Sequence, residues 1–334
     1  MREVHRPIAI VLGLACCVWL VHARAVGADG SPVLVRVEKG GEAMGSTFAV
    51  VLYGNDRAQL DVAADAALAE AHRVDAMLSN YRQDSEWSAV NRDAAFRPVH
   101  VSAELFTLLF ACLDYSERSE GAFDITVGPL MKTWGFYKDE GRLPSRTDVA
   151  STLALVGYRH VRLEAGARTV RFDRNGVELD PGGIGKGYAV DRMVDVLKAN
   201  GVDIAFVSAA GSSIYGLGAP PEIPRGWPVT IRDPRRRSKA GTQIFLKNLS
   251  ISTSGGYEKF FWANGRTYSH VIDPRTGYPA QAATSVSVVT SRAIDSEAWT
   301  KPYFVNGLAW TKAHKPAGVR VFFCEPNANC QWVD

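Results

Sequence analysis

The sequence predicts an α+β fold with mixed, largely antiparallel sheets flanked by helices, and three observations predict it. Strand-like and helix-like stretches alternate irregularly, without the repeated strand–helix–strand unit that builds parallel sheets. From residue 205 onward the pattern is dominated by short apolar runs of strand character. No linker and no internal repeat divides the 334 residues, so they read as one large domain.

The elements follow in order. Arg2, His5 and Arg6 precede an apolar run over 8–21, and Ala23-Arg24-Ala25 supplies an A-x-A cleavage site. This predicts a signal peptide over 1–25, with a second small-residue cleavage option at Ala28, and therefore a periplasmic or cell-envelope location. The apolar run falls short of the roughly 20 residues a membrane span needs. The alternatives are an uncleaved anchor, or lipid attachment at Cys17, where Leu14-Ala15-Cys16 forms a poor lipobox. Residues 26–41 read as a leader and 42–334 as the folded domain. A strand is expected over 47–53. Leu60, Ala64, Ala67, Ala71, Val74 and Leu78 recur with helical period, so 60–78 is a helix. Leu105, Leu109 and Cys112 mark another helix behind a Ser102 cap. Residues 169–180 read as a hairpin around Asn175-Gly176, and 188–197 as a helix closed by Asn200-Gly201. Strands are expected over 205–208, 228–232, 243–251, 268–272 and 285–290, then a helical piece over 295–303 and a last strand over 319–324.

Charge excludes one class of function. Thirty-eight Lys and Arg stand against 35 Asp and Glu, a formal net charge of +3, and nothing here implies nucleic acid. The short run Arg235-Arg236-Arg237 reads as solvated surface. Cys112 sits at an apolar helical position and reads as a buried free thiol. Cys324 and Cys330 lie close enough to close a small loop in an oxidising compartment.

The stretch ELDPGGIGKGYAVD (178–191) carries the chemistry. It is neither a Walker A loop nor a dinucleotide fingerprint, because Gly183, Gly185 and Gly187 run as G-x-G-x-G. Its composition still suits phosphate: glycines let backbone N–H groups approach an anion, a helix N-terminus favours negative charge, and Lys186 adds a mobile cation.

Six stretches then occur in a fixed order: EAMGSTF (42–48), LSNYRQDSEWSAVN (78–91), GAFDITVGPLMKTWGF (121–136), LDPGGIGKGYAVD (179–191), SISTSGGYEKF (250–260) and YSHVIDPRTGYP (268–279). Together they resemble the ApbE family of envelope FAD:protein FMN transferases, over residues 42–310. The resemblance implies an ApbE-like single domain that binds FAD and moves its FMN half onto a Thr or Ser hydroxyl of an acceptor flavoprotein, as a phosphoester, with release of AMP. It places FAD contacts on Met44, Tyr81, Ala122, Phe123, Asp124, Asp180, Lys186 and Ile272. His270, the histidine embedded in a motif, becomes the expected proton acceptor, with a pKa near neutrality.

The resemblance also implies Mg²⁺, held by the Gly183 carbonyl and by an Asp-x-x-x-Thr pair. The register set by Gly307 puts Glu297 and Lys301 on those two positions. Glu297 can coordinate a hard cation; Lys301 has no acceptor and cannot ligate while charged. A slipped register would use Asp295 and Thr300, which five residues apart on a helix face different directions. Gly211-Ser212-Ser213 stands where the family carries Gly-Gly-Asp. Besides FMN transfer, two readings stay open: an envelope protein that stores FAD, and an FAD pyrophosphatase that yields FMN and AMP.

Overall fold

A computed structural model describes residues 34–138, 140–234, 240–326 and 330–333. The expected signal peptide, both cleavage options, Cys17 and Arg235-Arg236-Arg237 lie outside the described residues. No helix among the described residues is long and apolar enough to cross a membrane.

The centre is an eight-stranded sheet whose strands lie side by side in chain order: β1 (Val35–Ala43), β2 (Ser46–Gly54), β3 (Ile204–Ala209), β4 (Ser213–Leu217), β5 (Leu249–Gly255), β6 (Ser285–Thr290), β7 (Arg320–Cys324) and β8 (Cys330–Val333). Every neighbouring pair is antiparallel. Period-two alternation sends side chains to opposite faces. In β2, Phe48, Val50 and Leu52 are fully buried on one face, while Val51 and Tyr53 pack on the other.

Three helices cover the first face: α1 (Arg57–Leu78), α2 (Gly185–Ala199) and α3 (Ala293–His314). In α1 all six residues that set its expected period are buried, and Asp56 caps its first turn by accepting from Ala58 and Gln59. The second face is covered by the strand pair Trp227–Arg232 and Ala240–Leu246 around Trp227, Ile231 and Leu246. A satellite cluster around Leu130, Trp134, Phe136 and Ile272 packs under the aromatic hairpin Phe260–Ala263/Arg266–Ser269. Trp134 donates its indole N–H to the Gly277 carbonyl at 2.8 Å, which pins this cluster to the segment after His270.

Several expectations are corrected. Residues 35–41, read as leader, form most of β1. The run over 243–251 is two strands in different sheets, broken at Asn248, which adopts a left-handed φ of 54° that Asn tolerates. Asn175-Gly176 does turn the chain, but the returning arm does not pair with Thr169–Phe172; that strand pairs with Val161–Glu164 and Val99–His100, and Glu178 bridges Val127. The strand expected over 268–272 ends at Ser269, so His270 lies in a bend. Helix α2 begins at Gly185, inside the glycine motif. Helix α3 runs past 303, accommodates Pro302 and kinks at Gly307 (φ 83°). Cys324 and Cys330 form a disulfide across β7 and β8, and Cys112 is a buried free thiol.

Candidate functional site

The glycine motif is built from its carboxylate. Asp180 accepts from the Gly182 N–H at 2.8 Å, capping the single turn Pro181–Gly183, and its own N–H donates to the Ile125 carbonyl at 2.7 Å. That second bond ties the loop to the Ala122-Phe123-Asp124 segment. Burial pushes the Asp180 carboxyl up. Helix α2 starts two residues after this turn, so Lys186 sits in its first turn, where backbone N–H groups have no intrahelical partner. Lys186 is half-buried and makes no hydrogen bond or ion pair among the described residues.

Gly187 fixes how closely α2 and α3 approach. A methyl group there would stand 2.3 Å from the Ala293 carbonyl oxygen and 2.9 Å from the Glu297 β-carbon. The Gly187 N–H donates to Glu297 Oε2, so a buried carboxylate of α3 receives the first turn of α2. Asp191 completes the junction by accepting from the Ala293 and Ile294 N–H groups at 2.6 and 3.0 Å. It closes the phosphate-suited motif yet serves as the cap of another helix.

Around this loop stand most of the expected contacts. Met44 occupies the β1–β2 turn with φ 52°, followed by Gly45 with φ 62°. Two left-handed residues make a tight hairpin turn, and a long side chain there is uncommon, a strain that recurs at functional sites. The Met44 sulfur faces Gly185, 3.9 Å from where a β-carbon there would be. The Phe123 ring lies against Gly183 and meets Tyr115 edge-on at 5.8 Å. Tyr81 is 74% exposed, packs on Tyr137 with ring centroids 5.1 Å apart and donates to the Tyr137 carbonyl. Burial, then Tyr81, Glu178 and Asp180, raise the Tyr137 hydroxyl to about 12, which places Tyr81 at the rim of the same site.

Three residues stand differently. Asp124 is buried and both its oxygens are committed within the fold: to the Thr126 N–H and hydroxyl at 2.8 and 2.6 Å, and to the Tyr158 N–H at 2.6 Å. Ala122 is buried, and Ile272 is buried in the aromatic satellite cluster.

His270 leaves its strand at the edge of that cluster, with its ring 6.4 Å from Phe136. Its Nδ1 lies 3.0 Å from the Lys259 carbonyl oxygen. A carbonyl only accepts, so Nδ1 carries the proton and Nε2 keeps a free lone pair. Burial pushes the imidazole down to about 4, and the nearby charges of Lys301, Lys259 and Lys186 add to the shift, against the bond to the Lys259 carbonyl. This departs from the expectation of a near-neutral pKa: the residue type predicts it, and burial first, with three neighbouring ammonium groups adding to it, lowers it.

Lys301 lies one helical turn beyond Glu297. Its Nζ is 3.9 Å from Glu297 Oε1 and donates to the Glu297 carbonyl at 3.2 Å. Its stem runs beside Gly183, with Cε 3.6 Å from a β-carbon built there. The register set by Gly307 therefore brings all three residues together. The slipped register does not: Asp295 accepts from the Tyr115 hydroxyl, and Thr300 bonds the Glu297 carbonyl and Ser254. Among the described residues no group of three or more His, Cys, Asp or Glu is gathered as for a metal ion.

The sequence reading missed three participants. Lys259, eleven residues before His270, fixes its tautomer through a main-chain carbonyl, which no side-chain pattern signals. Phe136 walls the same ring. Asp191 lay inside the quoted motif, but it sits within α2 and caps a helix about a hundred residues away, which no local pattern signals.

Comparison with known proteins places the whole fold in one family. A sequence model of the ApbE family matches residues 44–323. The FAD:protein FMN transferase of Treponema pallidum is 33% identical over 298 residues, covering 84% of this chain and 82% of its own. That of Klebsiella pneumoniae is 29% identical over 304 residues, with 88% and 85% covered. Among solved structures, the ApbE protein of Thermotoga maritima superposes with a TM-score of 0.82 at 29% identity, over 89% of this chain and 96% of that one. The flavinyl transferase ApbE of Pseudomonas stutzeri superposes with a TM-score of 0.79 at 29% identity, over 90% and 94%.

Proposed function

The chain belongs to the ApbE family, and on that premise we infer that it is an FAD:protein FMN transferase. The observation that carries the reading is the meeting of Lys186, Lys301 and a His270 with a free Nε2 at the glycine loop.

Phosphoester transfer of this kind needs positioning and charge neutralisation more than covalent help. The acceptor hydroxyl, a Thr or Ser, attacks the phosphorus on the riboflavin side of the FAD pyrophosphate. Its proton passes to His270 Nε2. The new P–O bond joins FMN to the protein, the bond to the other phosphate breaks, and AMP leaves. Lys186 and the first-turn N–H groups of α2 receive the pyrophosphate. Met44 and Phe123, with Tyr81 at the rim, offer adaptable apolar and aromatic surface to the ring systems. Asp180 orients the loop. Asp124 supports it from behind, since both its oxygens are engaged within the fold, and Ile272 packs in the aromatic cluster beside His270. A base held near 4 is weak when the site is empty; the negative pyrophosphate offsets the three ammonium charges and raises it as substrate binds.

The resemblance implies a divalent cation, and the residues present do not fit one. Mg²⁺ takes oxygen donors in near-octahedral array. Here one Glu297 oxygen is committed to the Gly187 N–H, the other faces an ammonium group, and Lys301 offers no lone pair. No step of this mechanism runs through a metal.

We further infer that the protein works in the cell envelope, supported by the signal-like sequence of residues 1–25 and by the Cys324–Cys330 disulfide. Incubation of the protein with FAD and an acceptor protein tests the activity. An acceptor mass increase equal to FMN supports it. FMN and AMP released at the same rate without acceptor would identify a pyrophosphatase instead.

A further inference from the structure

We propose that Lys301 is a tethered cation: its ammonium group, held between Glu297 and the Gly183 turn, neutralises the FAD pyrophosphate in place of a divalent metal. The proposal rests on the flavin-transfer reading above and concerns the same loop.

Position comes first. The stem of Lys301 lies along Gly183 and its Nζ sits between Glu297 and the loop that carries Lys186. Lys186 is close enough for its charge to act on Lys301, and both act on His270. Two ammonium groups therefore converge where the phosphates bind, one for the negative charge on each phosphate.

Donor geometry comes second. An ammonium has three N–H donors. One is used on the Glu297 carbonyl at 3.2 Å, and the Glu297 carboxylate at 3.9 Å is too far for a direct hydrogen bond. Donors remain for phosphate oxygens. The Lys301 side chain is 22% exposed, and burial of its ammonium group pushes it down to about 8, so it is still mostly charged at pH 7.

Charge balance comes third. Glu297 is 3% exposed and bonded to a helix N-terminus, and a carboxylate so placed requires positive charge beside it. Lys301 supplies it from one turn away. A metal in the same space would meet the like charge of an ammonium group 3.9 Å from the carboxylate it would need as a ligand.

The test is a titration of FAD into the intact protein, first in EDTA and then in excess Mg²⁺, with riboflavin as the phosphate-free comparison. The expected result is the same FAD affinity in both conditions. Lys301→Gln removes the charge on a shorter, still polar side chain; it should weaken FAD by roughly 10- to 100-fold, the scale of a charge-assisted hydrogen bond, with no rescue by Mg²⁺. The same variant should bind riboflavin as the parent does, which also shows that it is folded. Glu297→Asp combined with Lys301→Thr restores oxygen donors and should make FAD binding depend on Mg²⁺.

Parent affinity that rises strongly with Mg²⁺ overturns the proposal, as does Lys301→Gln that binds FAD like the parent. A parent that binds FAD and transfers FMN only in Mg²⁺ sinks this inference and leaves the transferase reading standing. A parent that binds no FAD in either condition removes the flavin reading, and this inference with it.

Discussion

Gly187→Ala puts one methyl group into the tightest contact of the site. The new β-carbon would stand 2.3 Å from the Ala293 carbonyl oxygen and 2.9 Å from the Glu297 β-carbon, both backbone or backbone-near atoms that cannot rotate away. Helices α2 and α3 must separate locally. Three terms decide the sign. Ala gains about 1 kcal/mol over Gly in helix propensity. Overpacking a close contact costs about 1–3 kcal/mol. Separation also breaks the Gly187 N–H bond to the buried Glu297 carboxylate, worth about 1.5–3 kcal/mol. The net is a loss of roughly 1.5–5 kcal/mol, read as a lower urea midpoint at an unchanged slope. Gly185→Ala is the control. Its β-carbon would meet nothing closer than 3.7 Å, so stability should hold or rise by up to about 1 kcal/mol. If Gly187→Ala denatures at the parent midpoint, the two helices are not held at the separation that the site geometry requires, and the reasoning fails.

Other expectations concern the chemistry. His270→Ala should keep FAD bound and lose transfer by about 10²–10⁴-fold, the usual span of general base catalysis; transfer at the parent rate would move the base elsewhere. His270 is depressed to about 4 in the free protein, so it stays unprotonated down to that region. The acidic limb of kcat/KM should therefore lie near pH 4 rather than near 6.5, with activity lost below it as the imidazole protonates; a limb near 6.5 that disappears in His270→Ala would contradict its burial and its crowding by Lys301, Lys259 and Lys186. Lys186→Ala should weaken FAD by roughly 10- to 100-fold and leave riboflavin untouched; equal losses for the two ligands would mean that the glycine loop does not hold phosphate.

Local chemistry explains which parts of this architecture were readable. The period of α1 comes from six apolar residues on one face, and the G-x-G-x-G loop announces a backbone held close to something else. Strand β1 was hidden because VRVEKGGEA is charged and glycine-rich. It is an edge strand that buries only Val37 and Ala43, so it owes its place to pairing with β2 and not to its own pattern. The break at Asn248 was hidden by apolar residues on both sides of the turn, which serve different layers. At the site, residue types were legible and states were not. The pKa of His270 depends first on its burial and then on ammonium groups that include Lys186 and Lys301 from other elements, and its tautomer depends on a main-chain carbonyl. The place of Lys301 could be counted from Gly307, but its approach to Gly183 exists only once α2 and α3 pack.

The order of the sheet has a consequence for how ligand and folding are linked. Strands lie in chain order, yet β2 pairs with β3 across about 150 residues (Tyr53 opposite Ile204), and the site draws on Met44 at one end and Lys301 near the other. A chain lengthening from its N-terminus completes this site only when α3 docks against the 180–187 loop. FAD, which would bind only the finished arrangement, stabilises the protein by mass action on the whole native state and not on any earlier fragment. Truncation anywhere before residue 301 should therefore abolish the rise in melting temperature with FAD concentration, even where a shortened sheet survives.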